Sequence, residues 1–176
     1  ISALTVTNNM NHDVDISVTE FNDAMTITDN DAADITISGV SVTEGVSSAT
    51  VTVTTDFAAD EDMTVTLTTS DNSALDGSDY TDETTAITIL AGEFTATETI
   101  AILDGIVVEG VESFDANIAT LVVSNDTGHD AEITVATDPV TINDNDAALL
   151  SVADIGVNEG GVTATVTLTT DLEIDE

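Results

Sequence analysis

Hydrophobic and polar residues alternate along most of this chain. Val51 and Val53 stand between Thr50, Thr52 and Thr54, and Val65 and Leu67 between Thr64, Thr66 and Thr68. A strand turns successive side chains to opposite faces, so the alternation predicts strands with an apolar face inward and threonine outward. β-branched threonine suits a half-buried pleat. Further runs of this kind are Thr84 to Leu90, Thr95 to Leu103, Val111 to Val123 and Glu132 to Ile142, with a short first strand around Ile35 to Val42. No segment shows a helical period. The pattern predicts an all-β, seven-stranded immunoglobulin-like Greek-key β-sandwich. Ala91-Gly92-Glu93 reads as a tight hairpin turn, and Pro139, late in the last strand, needs an edge position or a bulge because it has no N–H to give.

The same pattern returns downstream. Thr26-Ile-Thr-Asp-Asn-Asp-Ala-Ala33 nearly repeats as Thr141-Ile-Asn-Asp-Asn-Asp-Ala-Ala148. Asp29 matches Asp144 (144 − 29 = 115) and Glu44-Gly45 matches Glu159-Gly160 (159 − 44 = 115). Thr50-Val-Thr-Val-Thr-Thr-Asp56 matches Thr165-Val-Thr-Leu-Thr-Thr-Asp171, whereas His12-Asp13 pairs with His129-Asp130 at 117, so the earlier copy carries a two-residue insertion near Glu20 to Asn22. A period of about 115 residues is one sandwich domain, longer than the repeats of a solenoid. The chain is therefore expected to hold residues 1–33 as the end of one repeat, 34–146 as a complete domain and 147–176 as the start of the next. It reads as a window on a longer repetitive protein.

If the strands run alternately up and down, every second connection falls at the same end of the sandwich. That end collects Glu44 after the first strand, Asp76 and Asp79 after the third, Asp104, Glu109 and Glu112 after the fifth, and Asp144 and Asp146 after the last. Charge makes this gathering consequential. The 176 residues contain 35 Asp plus Glu and no Lys or Arg, a formal net charge of −35, yet 41% are hydrophobic, which is a globular proportion. Two carboxylates about 4 Å apart repel by roughly 4 kcal/mol at an effective dielectric near 20. Without protein cations, relief must come from protonation, solvent or a bound metal. Calcium takes about six to eight oxygens in flexible geometry, and this end offers carboxylates from four places in the sequence.

Composition also removes alternatives. A cation-free acidic surface repels phosphate backbones and anionic lipid, which argues against nucleic acid as a partner. No apolar run approaches the roughly 18 residues of a spanning helix, so no membrane insertion is expected in this window. Zero cysteines exclude disulfides and zinc ribbons, and the absence of Lys and Arg removes trypsin-type cleavage sites. One Tyr, four Phe and no Trp leave little surface for stacking sugars, so paired carboxylates are not read as a glycosidase site. His12 and His129 fall in turns at the opposite end with no nucleophile motif beside them. No enzyme is expected.

The order Glu44-Gly45, Ala74-Leu-Asp-Gly-Ser-Asp-Tyr80, Asp104-Gly-Ile-Val-Val-Glu-Gly-Val-Glu-Ser-Phe114 and terminal Asp144-Asn-Asp146 resembles the Calx-β domain family. The resemblance spans the whole complete unit and touches both neighbours through Asp29 to Asp31 and Glu159-Gly160. It implies a seven-stranded sandwich, with Ca2+ bound at this end in some members. It further implies Glu44, Asp79, Asp104, Glu109, Asp144 and Asp146 as ligands, Glu112 as a second glutamate and Asn145 as a carbonyl donor. Asp29, Asp31 and Glu159 are their counterparts in the neighbouring repeats. Gly105 stands where many calcium-binding members carry a second acid, which implies fewer ions or weaker binding. An EF-hand is excluded, since Asp34 and Leu149 occupy the positions where its loop needs glycine.

The expected function is a calcium-binding structural repeat in the rigid extracellular, secreted stalk or filament of an adhesin-like surface protein, with calcium stiffening the joints. Its expected partners are calcium ions, neighbouring repeats of the same chain or identical subunits, and cell-surface or matrix ligands. A calcium-sensing regulatory domain, as in sodium-calcium exchangers, and a self-assembling fibre subunit are the alternatives. The acidic run Asp56 to Asp62, repeated at Asp171 to Glu176, should point back toward the Asp-Asn-Asp of the preceding repeat. The run is expected to be a solvated acidic loop, with the alternative that Asp60, Glu61 or Asp62 bridges a metal there.

Overall fold

Alternating burial along the longer strands is the first thing the computed structural model displays, and it describes residues 32–46, 48–58, 61–124, 130–161 and 163–175. Expectations for residues 1–31, including Asp29, Asp31 and His12, and for Asn125 to His129 lie outside the described residues. In chain order the strands are β1 (Ala32–Ser38), β2 (Ser41–Thr43), β3 (Ser48–Thr55), β4 (Met63–Asp71), β5 (Thr84–Ile89) and β6 (Thr95–Ala101). They continue with β7 (Glu112–Val123), β8 (Asp130–Val135), β9 (Thr137–Asn143), β10 (Leu150–Val152) and β11 (Leu168–Thr170). No helix occurs among the described residues.

One sheet runs β6-β3-β1-β8 and the other β2-β9-β7-β4-β5. Their inward residues form a single core. Val51 and Val53 of β3, Val65 and Leu67 of β4, Phe114 of β7 and Val140 of β9 have no exposed surface. Each aliphatic or aromatic side chain so removed from water favours folding by about 1.5–3 kcal/mol. The intervening threonines face outward and pair across strands, as Thr36 Oγ1 with Thr54 Oγ1 at 2.7 Å and Thr120 Oγ1 donating to Thr66 Oγ1 at 2.8 Å.

The predicted first and last strands are each divided. β1 pairs with β3 in one sheet, whereas β2 pairs in parallel with β9 in the other, so the chain changes sheet at Gly39 and Val40. Gly39 makes the crossing possible: a Cβ there would lie 2.0 Å from the Pro139 carbonyl oxygen. Its N–H donates to Asp138 Oδ2 at 2.8 Å. The last strand changes sheet at Ala136, whose carbonyl accepts from Ile118 N at 2.7 Å. Pro139 faces Asp115 of β7 on one side. On the other side β2 begins pairing only at Thr141, so its missing N–H leaves no gap in the ladder.

The turn at Ala91-Gly92-Glu93 is tight, with Gly92 at φ 84° and Glu93 N donating to Leu90 O at 2.9 Å. It is not a hairpin. β5 pairs with β4 and β6 with β3, so this turn joins the two sheets, because each flanking strand finds a longer apolar partner elsewhere. β10 and β11 form a separate antiparallel pair.

Candidate metal centre

Each carboxylate at the acidic end is placed by a backbone device in its own loop. Glu44 follows β2 directly, and its N–H donates to Asn143 O at 3.0 Å, so the parallel β2·β9 pair sets it beside the chain leaving β9. Gly45 takes φ 80°, and a Cβ on it would come within 2.7 Å of Asn145 Nδ2 and 3.2 Å of Asp104 Oδ1. Only glycine fits there without strain. Asp144 Oδ1 accepts from Asp146 N at 2.7 Å, a turn that aspartate forms with its own backbone two residues on. Asp79 Oδ2 accepts from Leu75 N at 2.6 Å, closing a loop in which Gly77 adopts φ 80°. Asp79 O then accepts from Leu103 N at 2.9 Å, which fixes the 72–83 loop against the 102–111 loop.

Beneath this loop Tyr80 and Phe114 stack, ring centroids 3.9 Å apart and 8° from parallel. Both are fully buried core residues, so Tyr80 packs more deeply than a place at the domain end suggests. Tyr80 Oη donates to Asp71 Oδ1 at 2.7 Å, and burial followed by that carboxylate raises the phenol well above its ordinary value.

Two groups of carboxylates result. Glu44, Asp144 and Asp146 each offer an oxygen within 4.8 Å of the others, and so do Asp79, Glu109 and Glu112. Glu44 is only 8% exposed, and its oxygens accept from Gly105 N at 3.2 Å and Asn145 N at 3.3 Å. Burial and the neighbouring Asp144 raise its carboxyl above the ordinary range, against the pull of the Gly105 and Asn145 amides. Asp144 goes the other way, lowered by the amides of Asp146 and Glu109. In the second group burial pushes Glu112 up to about 7, aided by the charges of Asp79 and Glu109, a hydrogen bond with Asp79 and the charge of Asp175. Burial, then Asp79, Glu44, Asp144 and Asp175, raises Glu109 likewise.

Other residues expected at the site stand outside these two groups. Asp104 is exposed and accepts from Asn145 Nδ2 at 3.1 Å. Asn145 also donates from Nδ2 to Glu44 O at 2.8 Å, so its amide nitrogen clamps the two loops together. Asp76 Oδ1 caps Asp82 N at 2.7 Å. A Cβ on Gly105 would stand 3.5 Å from Glu44 Oε2, so an acid at this position would lie beside the first group. Glu159 is exposed in the turn closed by Gly161 N and Asn158 O at 3.3 Å and joins neither group.

Asp62 serves its own domain, with Oδ1 accepting from Ala91 N at 2.8 Å and its carbonyl from Ser124 N at 2.9 Å. Glu61 Oε2 is buried without a hydrogen-bond partner, and Asp60 lies outside the described residues. The corresponding stretch at the chain's end meets the 102–111 loop rather than Asp144 to Asp146. Val108 N donates to Glu173 O at 2.9 Å, and Asp175 N donates to Val108 O at 3.0 Å. The acidic run at Asp171 to Glu176 was visible in the sequence, but nothing in it pointed to Val108.

The donor set fits a hard divalent cation. Every ligating atom on offer is oxygen, the chain has no Lys or Arg to neutralise either group, and Asp146 Oδ2 is buried with no hydrogen-bond partner. A buried carboxylate oxygen left unpaired is costly, and a metal ion placed between the three groups would relieve it.

The fold itself is shared with known proteins. The structure is similar to the apo-form Calx CBD1 domain (18% identity, TM-score 0.55, covering 65% of this chain and 98% of that one). It is similar to the Calx CBD2 domain (16%, TM-score 0.58, 64% and 86%) and to the calcium binding domain CBD12 of CALX1.1 (18%, TM-score 0.52, 62% and 44%). No match among curated protein sequences is found. The sequence profile of the Calx-beta domain matches residues 16–146. Over that span, which takes in both carboxylate groups and all the loops that hold them, the chain is a member of the Calx-beta domain family.

Proposed function

We propose that this chain is a calcium-binding structural repeat from the extracellular stalk or filament of an adhesin-like surface protein, in which calcium stiffens the joints between successive sandwiches. The observation that carries the reading is the meeting of Glu44, Asp144 and Asp146, from segments about 100 residues apart, around the unpartnered Asp146 Oδ2. Glu44, Asp144 and Asp146 would hold one ion, and Asp79, Glu109 and Glu112 a second. The ion supplies positive charge; the chain supplies preformed loops and oxygens.

The repeat is supported by matching pairings. Ile35 faces Thr55 and Leu150 faces Thr170 (150 − 35 = 115; 170 − 55 = 115). Asp34 N donates to Asp56 Oδ1, and Leu149 N to Asp171 Oδ1, each at 2.7 Å. A chain that begins the same strand pair anew directly after Asp146 suits an array of linked sandwiches. The likeness to the calcium binding domain CBD12 of CALX1.1 favours a second reading as a calcium-responsive regulatory module.

Thermal melting in calcium and in chelator tests the shared premise. Binding to the folded state alone stabilises it by about 2.7 kcal/mol when free calcium is 100 times Kd. A melt indifferent to chelator sinks both readings. Small-angle scattering of a several-repeat protein separates them: the stalk requires a stiff, extended particle with calcium and a jointed one without.

A further inference from the structure

The stretch Glu173-Ile174-Asp175 belongs, by the offset of 115, to the same loop as Ala58-Ala59-Asp60 (173 − 115 = 58; 175 − 115 = 60). It does not lie free. Ile174 forms a parallel bridge with Val108, made by Val108 N to Glu173 O at 2.9 Å and Asp175 N to Val108 O at 3.0 Å. Val108 is the residue before Glu109, so the bridge carries Asp175 to the edge of the Asp79, Glu109 and Glu112 group. Leu172 is half-buried there, whereas Phe57, its counterpart in the complete domain, is 55% exposed.

We propose that the loop after the second strand of each repeat docks on the 102–111 loop of the repeat before it, adding Asp175 or its equivalent to Asp79, Glu109 and Glu112 to form a calcium site shared by two repeats. This rests on the calcium reading above and deepens it by assigning the joint to particular residues. Both bridge bonds use only backbone groups, so any repeat with an unobstructed loop can make them; Ala58 and Ala59 present no bulk against such docking. The aspartate at the third position, Asp60 in one copy and Asp175 in the other, is common to both. A fourth carboxylate brought to an uncompensated group of three is unfavourable without a cation. Docking is therefore tied to calcium.

The experiment uses the full 176-residue chain, with calcium alone as ligand, and follows both calorimetric titration and amide hydrogen exchange. Calcium should slow exchange at the Val108 and Asp175 amides. D175N should weaken one class of sites by about tenfold or more, since calcium affinity follows the number of charged ligands, and leave the Glu44, Asp144 and Asp146 class unchanged. Asp175→Pro, which also removes the bridging N–H, should abolish the calcium-dependent protection at Val108. Wild-type binding with unaltered exchange at both amides, or with D175N titrating like wild type, overturns the shared site while leaving calcium binding intact. A chain that takes up no calcium at all overturns the calcium reading itself.

Discussion

The backbone N–H of Glu109 donates to Asp144 Oδ2 at 2.9 Å, joining a residue of one carboxylate group to a residue of the other. Through this bond the 102–111 loop and the exit of β9 move as a unit, and each group's geometry depends on the other's. Asp144→Asn should therefore weaken calcium binding at both. We expect the calcium-induced rise in melting temperature to shrink by more than half, and both titration phases to shift. A loss confined to one phase would show that the groups are independent.

Asp146 Oδ2, buried without a partner, should make the calcium-free protein less stable than it need be. Asp146→Asn replaces a repelled charge with a neutral amide beside Asp144 and Glu44. The expected outcome is an apo protein more stable by about 1 kcal/mol, together with weaker calcium binding. Differential scanning calorimetry with and without calcium reads both effects, and a less stable apo variant would contradict the account.

Calcium binding should strengthen as pH rises through 7. Glu112, raised by burial to about 7 in the folded protein from an ordinary 4.5, holds a proton that a metal must displace. The same shift sets the sign for the calcium-free protein. Its stabilising contribution is fully present below about pH 4.5 and is lost as pH climbs through about 7. From pH 6 to pH 8, affinity at the Asp79, Glu109 and Glu112 group should gain about tenfold through this one proton, while apo stability falls. Titrations at the two pH values check it, and Glu112→Gln should flatten the dependence.

Tyr80→Phe keeps the stacked ring and deletes only the donor to Asp71. Because Asp71 Oδ1 also accepts from Asp76 N at 2.9 Å, the loss concerns one charged hydrogen bond. We expect destabilisation of about 1–2 kcal/mol by chemical denaturation, with calcium affinity little changed. A large affinity loss would make the 72–83 loop more dependent on this bond than its other contacts indicate.

Gly39→Ala forces a methyl group into the Pro139 carbonyl, 2.0 Å from an ideal Cβ. The cost should be about 1–3 kcal/mol, seen as a lower denaturation midpoint. Gly110→Ala, where nothing lies within 4 Å, is the matched control and should be near neutral.

Local pattern carried much of this molecule. Val51, Val53, Val65 and Leu67 alternate in the sequence and are all buried, because a half-buried strand has one way to satisfy such a pattern. Counting connections then gathered Glu44, Asp79, Glu109, Glu112, Asp144 and Asp146 at one end, since antiparallel strands return alternate loops to the same side. What the alternation could not show is where a strand leaves its sheet. The break at Gly39 depends on the approach of Pro139, one hundred residues later, and the crossing at Gly92 depends on which partners β5 and β6 prefer.

Chemistry divides in the same way. Sequence alone determined that this chain carries acid without base and that its acids recur at a separation of 115 residues, because composition and periodicity need no coordinates. Tertiary structure alone decided which acids meet. Glu112 joins Asp79 because β7 begins beside the 72–83 loop, Asn145 turns a donor to Glu44 and Asp104, and Asp175 reaches Glu109 through a bridge to Val108. Coulomb repulsion and hydrogen bonding act over a few ångströms in space, and residue separation along the chain says nothing about that distance until the strands are paired.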